Sequence, residues 1–231
     1  MLDIAVIIAS TREGRFGTAV GRWFLAEAGR RGDLGLDVID LSRTPLPPLQ
    51  PAHAGGTSDT GGIGGAGGTD EIGGAGGADG ADGADGAGES SGANGTDDAG
   101  GAARALAARI GAADGFVVIT PEYNHGYPAA LKLAIDAVRW EWAAKPVCFI
   151  SYGGMSGGLR AVEQLRLVFA ELHTVTLRDT VSFHGTQGRF DENGDLTDPS
   201  GPSAAVKVML DQLVWWGTTL REARAARPYR V

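Results

Sequence analysis

The run Gly115-Phe116-Val117-Val118-Ile119 leads through Thr120-Pro121-Glu122-Tyr123-Asn124-His125-Gly126-Tyr127-Pro128 into Ala129-Ala130-Leu131-Lys132-Leu133-Ala134-Ile135-Asp136. An unbroken apolar run bounded by turn residues reads as a strand buried on both faces, the kind found in parallel sheets. The segment after Pro128 has helical spacing. Strand, loop and helix in that order commit the chain to an α/β architecture. They also place a loop at the carboxyl end of a central strand, where open α/β sheets hold their ligands. A Pro-x-Tyr-Asn turn there predicts a fixed backbone with free N–H groups beside an aromatic ring. That arrangement suits a flat heteroaromatic ligand better than a metal or a nucleophilic reaction.

The same alternation runs along the rest of the chain. Strands are expected at Asp3–Ala9, Leu36–Leu41, Pro146–Ser151 and within Val175–Phe183. Helices are expected at Gly17–Arg31, from about Ala102 to Ala113, after Pro128 through about Val138, at Leu159–Leu172, and from about Ser203 to Arg224. Short right-handed crossovers between such units give a doubly wound, five-stranded parallel sheet. Asn193-Gly194 is a hairpin-turn signal. The acidic stretch around it is not a calcium loop, because Leu196 and Pro202 stand where a glycine and a glutamate are required.

One segment departs from this pattern. More than half of the 38 glycines lie between His53 and Gly101, in a tract without aromatic residues, proline, lysine or arginine. Ile63 and Ile72 are too few to offset the entropy of ordering it. It reads as a disordered low-complexity insertion after strand 2 in one domain spanning 1–231. Loop-closure entropy grows only logarithmically, so a surface insertion of this length is tolerable. It carries nine acidic residues, leaving 19 acidic against 20 basic residues elsewhere, although the whole chain has net charge −8. A nearly neutral folded part with an acidic tract argues against nucleic acid as a partner.

No apolar run reaches the roughly 20 residues of a membrane span, and the N-terminus enters a strand without a leader pattern. A cytoplasmic protein without membrane association is expected. The single cysteine, Cys148, lies in an apolar strand and forms no internal disulfide. His53, His173 and His184 show no metal-ligand spacing, so no metal is assigned.

Two further loops carry chemistry. Ala9-Ser10-Thr11-Arg12-Glu13-Gly14-Arg15-Phe16-Gly17 joins the first strand to the first helix. A helix N-terminus there offers N–H groups and partial positive charge to a phosphate. Ser10 and Thr11 add hydroxyls, Arg12 and Arg15 add charge-assisted donors, and Gly14 and Gly17 permit close approach. The loop is neither G-x-G-x-x-G nor a Walker loop, and it has no phosphate-loop lysine, which argues against nucleotide hydrolysis. A capped helix with solvated arginines would show the same residues. Ser151-Tyr152-Gly153-Gly154-Met155-Ser156-Gly157-Gly158 lets a flat ligand come close; a plain tight turn is the other reading.

Together, TPEYNHGYPAALKLAID, the 9–17 loop and the 151–158 loop resemble, in order, the motifs of the NADPH-dependent FMN reductase family. The resemblance covers most of 1–50 and 102–185. It implies a flavodoxin-like fold with strand order 2-1-3-4-5. It also implies FMN as cofactor and NADPH, or NADH, as reductant. Hydride would pass through the flavin to a second small-molecule acceptor: free flavin, a quinone or an azo compound. Both substrates would use one site in turn, so no side chain is assigned as catalytic. By the same resemblance, Ser10, Arg12, Phe16 and Gly17 match the phosphate-binding positions, with Arg15 as in members carrying GRFG. Pro121, Glu122, Tyr123 and Asn124 would hold the ring edge, and Ser151, Gly153 and Gly154 its pyrimidine end. A homodimer or dimer-based tetramer is implied, with Trp140-Glu141-Trp142 near the family's dimer contacts. Core packing is the other explanation for those tryptophans, as for Trp215 and Trp216. A flavodoxin-type electron carrier and a redox-sensing interaction protein working through the acidic tract are the competing functions.

Overall fold

The computed structural model describes residues 1–46, 94–186 and 188–230. Its elements are β1 (Leu2–Ile8), α1 (Gly17–Gly29), β2 (Leu34–Asp40), α2 (Asn94–Ala112), β3 (Gly115–Pro121), α3 (Ala129–Asp136), β4 (Pro146–Gly153), α4 (Leu159–Glu171), β5 (Val175–Thr176), β6 (Val181–His184) and α5 (Ser200–Ala226). The strands pair in parallel in the order β2-β1-β3-β4-β5, the flavodoxin-like order that the sequence implied. β1 pairs with β3 from Ile4 opposite Gly115 to Ile8 opposite Ile119.

All seven residues of β3 are buried, as its continuous apolar run requires. Alternate residues of the central strands face opposite layers. Val6, Ile8, Val117, Ile119, Cys148 and Ile150 pack with α1 and α5 through Val20, Phe24, Met209 and Leu213. Ala5, Ile7, Phe116, Val118 and Phe149 pack with α2, α3 and α4 through Ile110, Leu131, Leu165 and Phe169. Burial pushes the Cys148 thiol up from its ordinary range, which keeps it an unreactive core residue.

Two differences from the sequence reading have physical causes. The strand expected within Val175–Phe183 is two short strands, both parallel to β4. The ladder breaks where Arg166 takes the carbonyls of Leu177 and Arg178 at 2.6 and 3.0 Å. Helix α2 begins at Asn94 rather than about Ala102, so its first turns lie in what reads as the Gly-rich insertion. Its second half supplies the packing: Leu106 and Ile110 are buried, and Arg109 Nε donates to Asp37 of β2 at 2.9 Å. The insertion expected at 53–101 lies outside the described residues as far as residue 93.

The tryptophans divide. Trp142 is 1% exposed and packs edge-on against Phe116 and Phe169, whereas Trp140 is 54% exposed. Trp215 and Trp216, for which core packing was the usual explanation, lie on the outer side of α5 and are exposed. The Asn193-Gly194 signal corresponds to a tight turn closed by an antiparallel bridge between Phe190 and Leu196, with Asp191 accepting the amides of Asn193 and Asp195. Among the described residues, no helix is long and apolar enough to cross a membrane. Among the same residues, no three His, Cys, Asp or Glu side chains gather as a metal site needs.

Candidate functional site

The carboxyl ends of β1, β3 and β4 bring the three loops to one cleft of about 270 Å³. Ser10, Arg12, Arg15 and Phe16 line it from the first loop, Pro121, Glu122 and Tyr123 from the second, and Gly153 and Gly154 from the third. Gly14 lines it as well, and sequence reasoning missed three further wall residues, Glu13, Tyr152 and Thr186. A larger cavity of about 480 Å³ lies at the opposite end of the sheet, where Ala144 and His173 meet the end of α5; it holds none of the three loops.

The first loop is pinned from two sides. Ser10 is fully buried, and its hydroxyl lies 2.7 Å from that of Tyr123, tying the first loop to the second. Arg15 pairs with Asp40 at the end of β2. The amides of Ser10 through Gly14 meet no acceptor among the described residues, and α1 starts without a side-chain cap. Uncapped amides before a helix, with two arginines beside them, are groups that can receive an anion. Arg12 is not aimed at those amides: its guanidinium stacks 3.6 Å from the Tyr123 ring centroid.

The second loop is a tight hairpin. Tyr123 N–H donates to Gly126 O at 2.9 Å and Gly126 N–H to Tyr123 O at 3.0 Å. Asn124 and His125 between them have φ of 50° and 69°, the signs of a type I′ turn. Glu122 N–H donates to Tyr152 O at 3.2 Å. The expected free N–H groups are therefore not those of Glu122 and Tyr123, because hairpin and ladder take both. The amides of Asn124 and His125 remain without an acceptor among the described residues. Asn124 is exposed at the hairpin tip and off the cleft wall.

Glu122 serves another element. Its carboxylate accepts from Arg160 N–H at 3.1 Å and from the Arg160 guanidinium at 2.9 Å, capping α4, which has no cap of its own. Burial pushes its carboxyl up, but hydrogen bonds from Ser156 and Arg160 and the charges of Arg160 and His125 outweigh that and hold it below its ordinary value. It stays ionised and is no proton donor near neutral pH. A depressed folded-state value means stabilisation that is present above the unfolded-state value of 4.5 and lost as pH falls below it. Glu122→Ala is expected to cost about 1 kcal/mol at pH 7. In denaturant melts the gap from wild type should close as pH drops through that range; a gap constant down to strongly acid pH would assign the loss to packing.

In the third loop, Ser151 does not face the cleft. It is fully buried, and its hydroxyl donates to Gly157 O at 2.8 Å, joined there by Ser182 at 2.9 Å. Gly17 is also off the wall, buried beneath the Tyr152 hydroxyl: a Cβ built on it would lie 2.6 Å from that oxygen. Gly154 is open, with no atom within 4 Å of a built Cβ.

A parallel sheet in the order β2-β1-β3-β4-β5, flanked by helices, defines the flavodoxin-like class of α/β proteins. Residues 86–188 match the NADPH-dependent FMN reductase family. The chain is 53% identical over 55 residues to an NAD(P)H-dependent FMN reductase of Schizosaccharomyces pombe, covering 24% of this chain and 28% of that protein. It is 33% identical over 121 residues to a 2-hydroxy-1,4-benzoquinone reductase of a Burkholderia species, covering 49% and 66%. The matches to the fission-yeast protein and to a Saccharomyces cerevisiae FMN reductase span 28% and 34% of those proteins' lengths. In fold, the chain is similar to a flavoenzyme NAD(P)H:(acceptor) oxidoreductase of Paracoccus denitrificans, with a TM-score of 0.61 and 18% identity over 95% of this chain and 98% of that one.

Proposed function

We propose that the protein is an FMN-dependent oxidoreductase that takes hydride from NAD(P)H and passes electrons to a small-molecule acceptor: a free flavin, a quinone or an azo compound. The observation that carries this reading is the convergence of three differently equipped loops on one cleft. The first offers unpaired amides at a helix end, with Arg12 and Arg15. The second offers Tyr123, held by Ser10. The third offers an open glycine wall at Gly153 and Gly154.

These residues fit FMN. Ser10, Arg15, Phe16 and the start of α1 at Gly17 would hold the phosphate, with Arg12 between phosphate and ring. The 121–124 hairpin would flank the ring edge and Gly153-Gly154 its other end. Ser151 would act indirectly, by fixing the third loop through Gly157. Bound FMN would supply the hydride-accepting and electron-passing chemistry. The chain's own part is binding and orientation. At about 270 Å³ the cleft lies below the usual range of enclosed ligand pockets, roughly 300–1,000 Å³. A cleft this small would leave part of the cofactor uncovered, and two substrates could use that exposed part in turn. No acid or base is assigned, because Glu122 is committed to Arg160.

This reading includes a cytoplasmic location, where NAD(P)H is available, and a homodimer that covers some exposed apolar surface, such as Leu167 on α4 and Trp140. The test is anaerobic. The purified protein loaded with FMN should lose its flavin absorbance on adding NADPH, regain it with a quinone, and sediment as a dimer. Failure to bind FMN would overturn the reading. Flavin binding without steady-state NADPH oxidation would favour an electron carrier.

A further inference from the structure

Tyr152 has no place in the reading so far, and its surroundings are unusual. It is 5% exposed, yet its hydroxyl is buried without a hydrogen-bond partner. The Ser10 hydroxyl and the Gly17 amide are its polar neighbours, but neither lies in hydrogen-bond geometry with it. The hydroxyl sits over Gly17, the first residue of α1, and the side chain lines the cleft. A second orphan faces the same loop: Arg15 Nε is buried and unpaired, while the other end of that guanidinium is held by Asp40. Buried polar groups nearly always have partners, and each exception needs a reason. Here two unsatisfied donors lie beside an uncapped helix N-terminus.

We propose that the Tyr152 hydroxyl and Arg15 Nε are donors to the phosphate monoester of the ligand, so that Tyr152 sets a preference for FMN over riboflavin. This rests on the FMN reading of the cleft and adds a residue to it. Asp40 is the positioning residue, because its ion pair fixes which edge of the Arg15 guanidinium stays free. Burial raises the Tyr152 phenol above its ordinary range, so it stays protonated as a donor must. Strand alternation supports the assignment: Ser151 faces Gly157, and Tyr152 faces the opposite layer, towards α1.

The decisive variant is Tyr152→Phe, because the two roles of the hydroxyl predict opposite signs. A buried hydroxyl without a partner is a cost, so its removal should leave the ligand-free protein as stable as wild type or more stable. A hydrogen bond to a charged group, once lost, should weaken FMN binding about tenfold or more. Ligand-free protein would be melted, then titrated with FMN and with riboflavin by flavin-fluorescence quenching, with inorganic phosphate as competitor against FMN. We expect an unchanged or raised Tm, weakened FMN binding, unchanged riboflavin binding, and weakened competition by phosphate. Unchanged FMN affinity would overturn the proposal, as would equal losses for both flavins or a lowered ligand-free Tm. Wild-type protein that binds neither flavin would instead overturn the FMN reading itself, and this proposal with it.

Discussion

Gly154→Val is expected to give a protein that folds and melts like wild type but binds FMN far more weakly. Gly154 is exposed on the cleft wall, and a Cβ there meets nothing within 4 Å. Its φ is not among the positive ones, so a valine is not strained. The added methyls therefore cost the ligand-free fold nothing and stand in the space assigned to the ring. Overpacking a fitted site costs about 1–3 kcal/mol, or roughly a ten- to hundredfold weaker FMN complex. The adjacent Gly153 is a poorer probe, because its Cβ would approach Gly158 N at 3.1 Å and disturb the loop itself. Equilibrium titration with FMN, next to a thermal melt of each protein, makes the comparison. Normal loading by the variant would place the ring elsewhere.

The fold was legible because its signals are local. β3 is a seven-residue run with every position buried, and such a run has few homes other than a parallel sheet covered on both faces. Pro128 and the apolar spacing after it set α3. What was not legible depends on long-range contacts. The split between β5 and β6 is set by Arg166, a residue of α4 that captures two carbonyls, and nothing within 175–183 announces it. Nor does the composition of 94–101 announce a helix: three of those residues are glycines, each costing about 1 kcal/mol in a helix interior. The packing of Leu106 and Ile110 carries α2.

The site was legible as loops and less so as atoms. The three motifs name the segments that meet at the cleft, but sequence does not say which way each side chain turns or which amides are already in use. The hairpin consumes Tyr123 N–H, and the ladder consumes Glu122 N–H. Ser151 and Tyr152 show that one signal was present and unread. Cys148 and Ile150 face the α1 layer, and Val147 and Phe149 the other. The period of two then directs Tyr152, and not Ser151, towards the loop that leads into α1. Attention to the glycines around Tyr152 hid it.

The largest effect on stability is expected at Gly158, the residue before α4. Its φ is +87°, and a Cβ there would lie 2.7 Å from Ser151 Cβ and 2.9 Å from Tyr152 N. Both neighbours belong to β4 and are paired there with β3 and β6. Neither can retreat as a flexible side-chain end could. Gly158→Ala therefore adds backbone strain of about 1 kcal/mol or more to an overpacking cost of about 1–3 kcal/mol. The sum is a large fraction of the 5–15 kcal/mol that holds a typical domain together. At about 2–4 °C per kcal/mol for a chain of this size, Tm should fall by roughly 10 °C. Gly14→Ala separates the two contributions. It has φ of +62° but nothing within 4 Å of its Cβ, so it should show the strain alone, about 1 kcal/mol. If both variants lost the same amount, β4 would be yielding to the new methyl. The third loop would then be less rigid than its hydrogen bonds from Ser151 and Ser182 to Gly157 imply, and its glycine wall would be set by the ligand rather than by the fold.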